Sequence, residues 1–417
     1  MSVATASRRT FKSLRKHRNY RLYFFGQVVS ISGTWMQNVA QAWFILVLTH
    51  SAFAVGLLAL CQFGPYAILG LFGGTWADRI DQRRLLIGTQ TAFMLSATTL
   101  AVLALTGHAA AWEVYALAAV NGVVTVFDTP ARQSFTIQMV GRDELPDAIA
   151  LNSSLFNASR IVGPAVAGAI IAVAGVGPCF LINALSFFAV ITALWLMREH
   201  ELFAVGRDES HGSVLRRAGE GLRFAWTEPT LRTVLLMMLV IATIGINFNV
   251  LMPVLASSTL QSGPEVFGIL SALFGAGALV GALFSASLGR ASVRSLLGGA
   301  AVFSAGELVL APLHTVWAAA LVLVVTGVAF SLYTSQSNAS LQLRTPDRLR
   351  GRVMGIYGYV FFGSAPLGGL LAGWLAQLGG TQLAFVVAGA VSLAAAIYGR
   401  IELTHRPEPT RWAASTV

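Results

Sequence analysis

Positive charge in this chain falls into every second gap between long apolar runs. Of its 28 Lys and Arg residues, seven crowd the first twenty-one positions: Arg8, Arg9, Lys12, Arg15, Lys16, Arg18 and Arg21. Almost all the others stand at Arg79, Arg83 and Arg84; Arg142; Arg198 to Arg232; Arg290 and Arg294; Arg344 to Arg352; and Arg400, Arg406 and Arg411. The alternate gaps carry none. Basic residues on short loops stay on the cytoplasmic side during insertion, so the alternation predicts both the number of crossings and their direction. Only Arg132 and Arg160 lie inside apolar runs, which makes them the first candidates for function.

The composition agrees with a membrane-embedded chain. Its 55% hydrophobic and 11% charged residues, with a mean hydropathy of +0.69, lie outside the range of soluble domains. One spanning helix takes about 20 apolar residues, so twelve take roughly 240, well within the 417 available. The basic loops account for the net charge of +10, and no nucleic-acid partner is expected. Cys61 and Cys179 fall inside apolar runs without metal-ligand spacing and read as packing residues. No G-x-S-x-G, H-E-x-x-H, P-loop or paired-carboxylate pattern occurs. This predicts a protein that is not an enzyme, is not driven by ATP, and uses neither cofactor nor metal. Ala52-Phe53-Ala54 imitates a signal-peptidase site, but the preceding run is too long and too polar for a signal sequence and is expected to be retained. Long apolar runs in place of short alternating strands point to a bacterial inner membrane.

The runs predict spans at 22–47, 53–76, 85–105, 112–138, 147–173, 177–197, 231–255, 266–288, 295–312, 315–342, 351–377 and 382–399. A basic segment 1–21 precedes them and a tail 400–417 follows, both cytoplasmic for an even number of crossings. The long connection 198–230 mixes Arg198, Glu199, Glu201, Arg207, Asp208, Glu209, Arg216 and Arg217 with few apolar residues, as a solvated cytoplasmic linker does. It separates an N-terminal bundle 22–197 from a C-terminal bundle 231–399, six spans each. The halves also echo one another. Glu144-Leu145-Pro146-Asp147 precedes Gly163-Pro164, and Asp347-Arg348-Leu349-Arg350 precedes Ala365-Pro366 at a similar interval, the mark of an internal repeat.

The loop between spans two and three reads Gly74-Thr75-Trp76-Ala77-Asp78-Arg79-Ile80-Asp81-Gln82-Arg83-Arg84. It resembles the major facilitator superfamily signature G-x-x-x-D-R-x-G-R-R, with Asp81 and Gln82 as departures. In such a loop Gly74 permits close helix approach, while Asp78 caps a helix or pairs with an arginine. Gly163-Pro164-x-x-x-Gly168 resembles the superfamily's antiporter signature, Pro164 kinking the helix and the glycines allowing tight packing. Asp128-x-Pro130-x-Arg132, Leu145-Pro146-Asp147-Ala148 and Asn157-x-x-Arg160 are similar to the branch holding enterobactin exporters and macrolide efflux proteins. An R-x-x-Q-G signature of many proton-coupled members is absent, Ala118 standing where its arginine belongs. The resemblance implies an all-α membrane protein of twelve transmembrane helices in two six-helix bundles related by pseudo-two-fold symmetry, the major facilitator fold.

Polar residues recur at helical spacing on three spans: Gln27, Ser30, Thr34, Asn38 and Gln41 on the first, Asn121, Thr125, Asp128 and Arg132 on the fourth, Ser331, Ser335, Asn338 and Gln342 on the tenth. Such a face must meet water, a ligand or another helix. The resemblance implies that spans one, four, seven and ten line a central cavity, Asn247 and Asn249 supplying span seven. Interhelical hydrogen bonding is the alternative. Asp128 and Arg132 are one turn apart, and Arg160 on span five is expected at similar depth, so Asp128 has two arginines in reach. It is either a proton carrier tuned by them or half of an ion pair locking spans four and five. Glu307, on span nine, is expected either to take protons from outside or to reach interfacial water.

Together these readings predict a secondary transporter, and the resemblance implies that it exports a small organic molecule, a drug, macrolide or siderophore, in exchange for protons. The lipid bilayer is its surroundings and a monomer is expected. Import of a metabolite and a non-transporting receptor are the competing readings.

Overall fold

The computed structural model describes residues 12–77, 79–203 and 214–404, and the described segments are helical almost throughout. The first half contributes α1 (Arg18–Thr49), α2 (Ala52–Ala77), α3 (Gln82–Thr106), α4 (Ala111–Val140), α5 (Leu145–Ala174) and α6 (Gly177–Trp195). After the connection come α7 (Val214–Thr227), α8 (Pro229–Ile244), α9 (Phe248–Val254), α10 (Pro264–Ser287), α11 (Val293–Leu310), α12 (Val316–Arg344), α13 (Asp347–Gly363) and α14 (Ala365–Thr404). Helices satisfy every backbone group internally, as an apolar solvent demands. Ser and Thr hydroxyls inside them turn back onto the preceding turn: Thr34 donates to the Ser30 carbonyl at 2.9 Å and Thr125 to that of Asn121 at 2.8 Å.

Ten helical stretches among the described residues are long and apolar enough to cross a membrane. The difference from the expected runs has two sources. The 32-residue α1 is absent from those ten because its polar residues dilute its hydropathy. The last two runs form one stretch, Asp347–Thr404, bent inside α14 where Gly380 takes a φ of 68° that a side chain disfavours. Span seven is corrected as well. The expected continuous helix stops at Ile244 and restarts at Phe248, because the Asn247 amide donates to the carbonyls of Thr243 (2.8 Å) and Ile244 (3.1 Å), competing with the helix ladder.

The connection 198–230 is more than a solvated hinge. Its helix α7 packs on α13, with Gly221 against the Arg352 side chain and Glu220 paired with Arg352. Glu228 then caps α8 by accepting from Thr230 N at 2.7 Å.

Two seams join the halves: α2 against α14 and α5 against α10. Both rest on glycine. A Cβ on Gly168 of α5 would meet the Pro264 carbonyl at 2.8 Å and Gly268 Cα at 2.9 Å, and one on Gly373 of α14 would meet the Ala52 carbonyl at 2.7 Å. Beside the second seam, Ser51 donates to Gln377 at 2.9 Å. Gly168→Val is therefore expected to lower the thermal midpoint of the purified protein, since overpacking costs about 1–3 kcal/mol. Gly88→Val, where nothing lies within 4 Å of the added Cβ, leaves it unchanged; thermal unfolding in detergent checks both.

Candidate functional site

Helix α4 places Asp128 and Arg132 one turn apart on a buried face, with Pro130 between them. The Asp128 carboxylate accepts three hydrogen bonds. Its Oδ1 accepts from the Thr89 hydroxyl at 2.7 Å and the Gln90 amide at 2.8 Å, both on α3, and its Oδ2 from Arg132 Nη2 at 2.6 Å. Arg132 Nη1 also donates to Gln27 of α1. The pair thus binds α4 to α3 and α1, and the expected lock between spans four and five is corrected: Arg160 contributes nothing to it. Thr89 and Gln90 went unrecognised in the sequence, although two adjacent polar residues in an apolar run were the available signal. Removing one member of a buried pair leaves an uncompensated charge. Arg132→Met should cost about 3 kcal/mol of stability, and adding Asp128→Leu should restore most of it; thermal unfolding of the single and double variants decides.

Arg160 stands elsewhere, on the α5 side of the seam with α10. Its guanidinium lies 6.0 Å from the Phe274 ring centroid and 5.6 Å from that of Phe330. Those rings belong to an aromatic cluster in the second half, where Phe248 and Phe274 stack at 4.6 Å and Phe303 and Phe385 flank Phe248. Gly163, one turn along α5, presses against Trp35 of α1, and Pro164 gives its carbonyl to the approach of Gly268.

Glu307 on α11 is fully buried, which corrects the expectation that it reaches interfacial water. The Ser392 hydroxyl of α14 faces it, yet neither carboxylate oxygen closes a hydrogen bond. The break between α8 and α9 is adjacent, since a Cβ on Gly245 would lie 2.7 Å from Ser392 Oγ.

The polar residues of α1 do not share one opening. Gln27 and Gln41 are buried, Gln41 donating to the Val114 carbonyl of α4 at 3.4 Å. Asn38 accepts from Gln62 of α2 at 3.2 Å, Gln37 from Asn183 of α6 at 2.7 Å, and Ser32 meets Ser159 of α5 at 3.0 Å. These are ties between helices, the alternative that spacing left open. Thr34 is exposed, and Asn121, Thr125 and Ser335 are half-exposed. Asn338 accepts from Gln342 on its own helix at 2.6 Å. Asn247 is buried at the helix break while Asn249 is exposed.

In the charged loop, Asp78 lies outside the described residues. The N-cap of α3 is Asp81, accepting from Arg84 N at 2.9 Å, so the aspartate that departs from the signature does the capping. The close approach expected of Gly74 belongs to its neighbour: nothing lies within 4 Å of a Cβ on Gly74, whereas one on Gly73 would meet Val126 Cγ1 at 2.6 Å. Arg83 donates to the Leu194 carbonyl at 2.8 Å and pairs with Glu199; Arg79 and Arg84 are exposed.

The family model of transmembrane secretion effectors matches residues 9–410. The multidrug efflux pump Tap of Mycolicibacterium fortuitum is 29% identical over 88% of this chain and 91% of its own length. The staphyloferrin A transporter of Staphylococcus aureus is 24% identical over 88% of this chain and 92% of its own. Macrolide efflux protein A of Streptococcus pyogenes is 24% identical over 92% and 96%. Among solved structures, a point mutant of the nucleoside transporter NupG matches with a TM-score of 0.74 at 12% identity, over 92% of this chain and 98% of that one. A bacterial homologue of the lysosomal transporter Spinster, inward-facing and unoccupied, gives 0.69 at 16%, over 95% and 96%.

Proposed function

This chain belongs to the transmembrane secretion effector family of the major facilitator superfamily, and from that premise we propose that it exports a small organic molecule by alternating access driven by protons. The observation that carries the reading is the near full-length likeness to three efflux-type transporters that handle a drug, a siderophore and a macrolide. It is a multi-pass membrane protein. We read it as twelve spans in two six-helix bundles, 22–197 and 231–399, in a bacterial inner membrane. The basic loops and both termini are then cytoplasmic.

Alternating access requires the halves to part at one end while they touch at the other. The glycine seams beside Ser51 and Gln377 supply the touching end. Thr34, Asn121, Thr125, Ser335 and Asn338 are the polar anchors of the chamber in this reading, with Gly74, Asp78, Arg79, Arg83 and Arg84 at its cytoplasmic rim and the Gly163-Pro164 kink and Gly168 shaping α5.

Of the two intramembrane acids, Glu307 is the better proton carrier. Asp128 has all its acceptor positions toward Thr89, Gln90 and Arg132 in use and serves as a fixed counter-ion. Glu307 has both oxygens free beside a helix break. An unpaired charge inside a membrane costs about 2.5–3.5 kcal/mol or more, so exchange of its proton is tied to movements that let water reach it.

Expression in a pump-deficient bacterium, screened against macrolides, cationic dyes and siderophores, should raise tolerance and lower accumulation of at least one compound. A protonophore should abolish the effect. Glu307→Gln should fold normally yet lose the protonophore-sensitive export. Unchanged accumulation of every compound would dispose of the exporter reading, and full export by Glu307→Gln would remove its proton role alone.

A further inference from the structure

Arg160 is a cation in an apolar helix for which the described residues provide no counter-ion. Its Nη2 is buried without a hydrogen-bond partner, and no carboxylate of the described residues pairs with it. Neither intramembrane acid is its partner. Asp128 is held by Arg132, Thr89 and Gln90. Glu307, one turn beyond Phe303 on α11, closes no ion pair or hydrogen bond among the described residues.

Phe274 and Phe330 offer the guanidinium their π faces, which offsets part of its desolvation. A guanidinium, however, presents its N–H donors around the edge of its plane, in a fork that fits two acceptor oxygens. Rings supply no such acceptor. A charge held inside a membrane ordinarily faces a cavity and has a partner, and Arg160 is only partly covered as a residue. Its position adds a second point. The Arg160 carbonyl lies 3.1 Å from where a Cβ on Gly275 would be, so this side chain crosses from α5 of the first half to rings on α10 and α12 of the second.

We propose that Arg160 is the anchor for an anionic group of the transported molecule, a carboxylate gripped by the guanidinium fork with the apolar or aromatic body of the molecule against Phe274 and Phe330. The substrate class is then an amphipathic organic anion. This deepens the exporter reading and rests on it for transport, although binding itself does not. Because the anchor and the rings belong to opposite halves, capture of the anion also bears on the seam.

The test uses the full-length purified protein in detergent with two dyes of comparable size, the anion carboxyfluorescein and the cation ethidium, followed by fluorescence polarisation. Wild type should bind carboxyfluorescein. Arg160→Gln should weaken that binding about 10- to 100-fold, the loss of a charge-assisted hydrogen-bond pair, and leave ethidium unaffected. Arg160→Lys keeps the charge without the fork and should recover part of the affinity; it also carries the test if the glutamine variant does not fold. Absence of carboxyfluorescein binding to wild type, equal losses for both dyes, or full displacement by acetate or chloride at the same occupancy would overturn the assignment. Anion binding that depends on Arg160 would leave the anchor standing even where the accumulation screen finds no exported compound and the exporter reading fails.

Discussion

Every polar group inside this helical bundle has to find its partner within the protein, because a hydrocarbon surrounding offers none. That single requirement orders the structure. Hydroxyls fold back onto the carbonyl one turn before them, amides of α1 reach into α2, α4 and α6, and Asp128 draws three donors from two helices. Against this background the Arg160 guanidinium and the Glu307 carboxylate stand out, each with buried polar atoms that close no hydrogen bond. One cluster of phenylalanines serves both neighbourhoods, Phe330 beside Arg160 and Phe303 one turn before Glu307.

Much of the architecture was legible in the sequence because the bilayer forces it to be. The apolar runs match the helices within a few residues at most ends, and the position of Arg132 and Arg160 inside such runs marked both as unusual. Other features escaped for physical reasons. The break after Ile244 depends on an asparagine side chain choosing local carbonyls, which spacing does not reveal. The polar face of α1 read as one stripe, yet a long helix surrounded by others turns successive residues toward different neighbours. Helical period alone also placed Arg160 beside Asp128 by depth, whereas the rotation of α5 about its own axis directs it across the seam instead. The capping of α3 by Asp81, which accepts from the backbone N–H of Arg84, falls on a position where the chain departs from the signature, so the motif does not mark it.

The seams explain how a bundle so apolar remains divisible. Glycine against backbone brings α5 to α10 and α2 to α14 closely together, and such contacts depend on shape rather than on interlocking side chains. Close, smooth contact of this kind is what the proposed alternating access asks of a pivot. Arg160 adds a charged side chain that passes from the first half to rings of the second.

Charged contacts tie the connection to both halves of the chain. One end of the connection is fixed to the first half, where Arg83 grips Glu199 and the Leu194 carbonyl. The other is fixed to the second, where Glu220 pairs with Arg352. Both pairs are partly exposed, so salt that screens them loosens the two attachments of the connection at once.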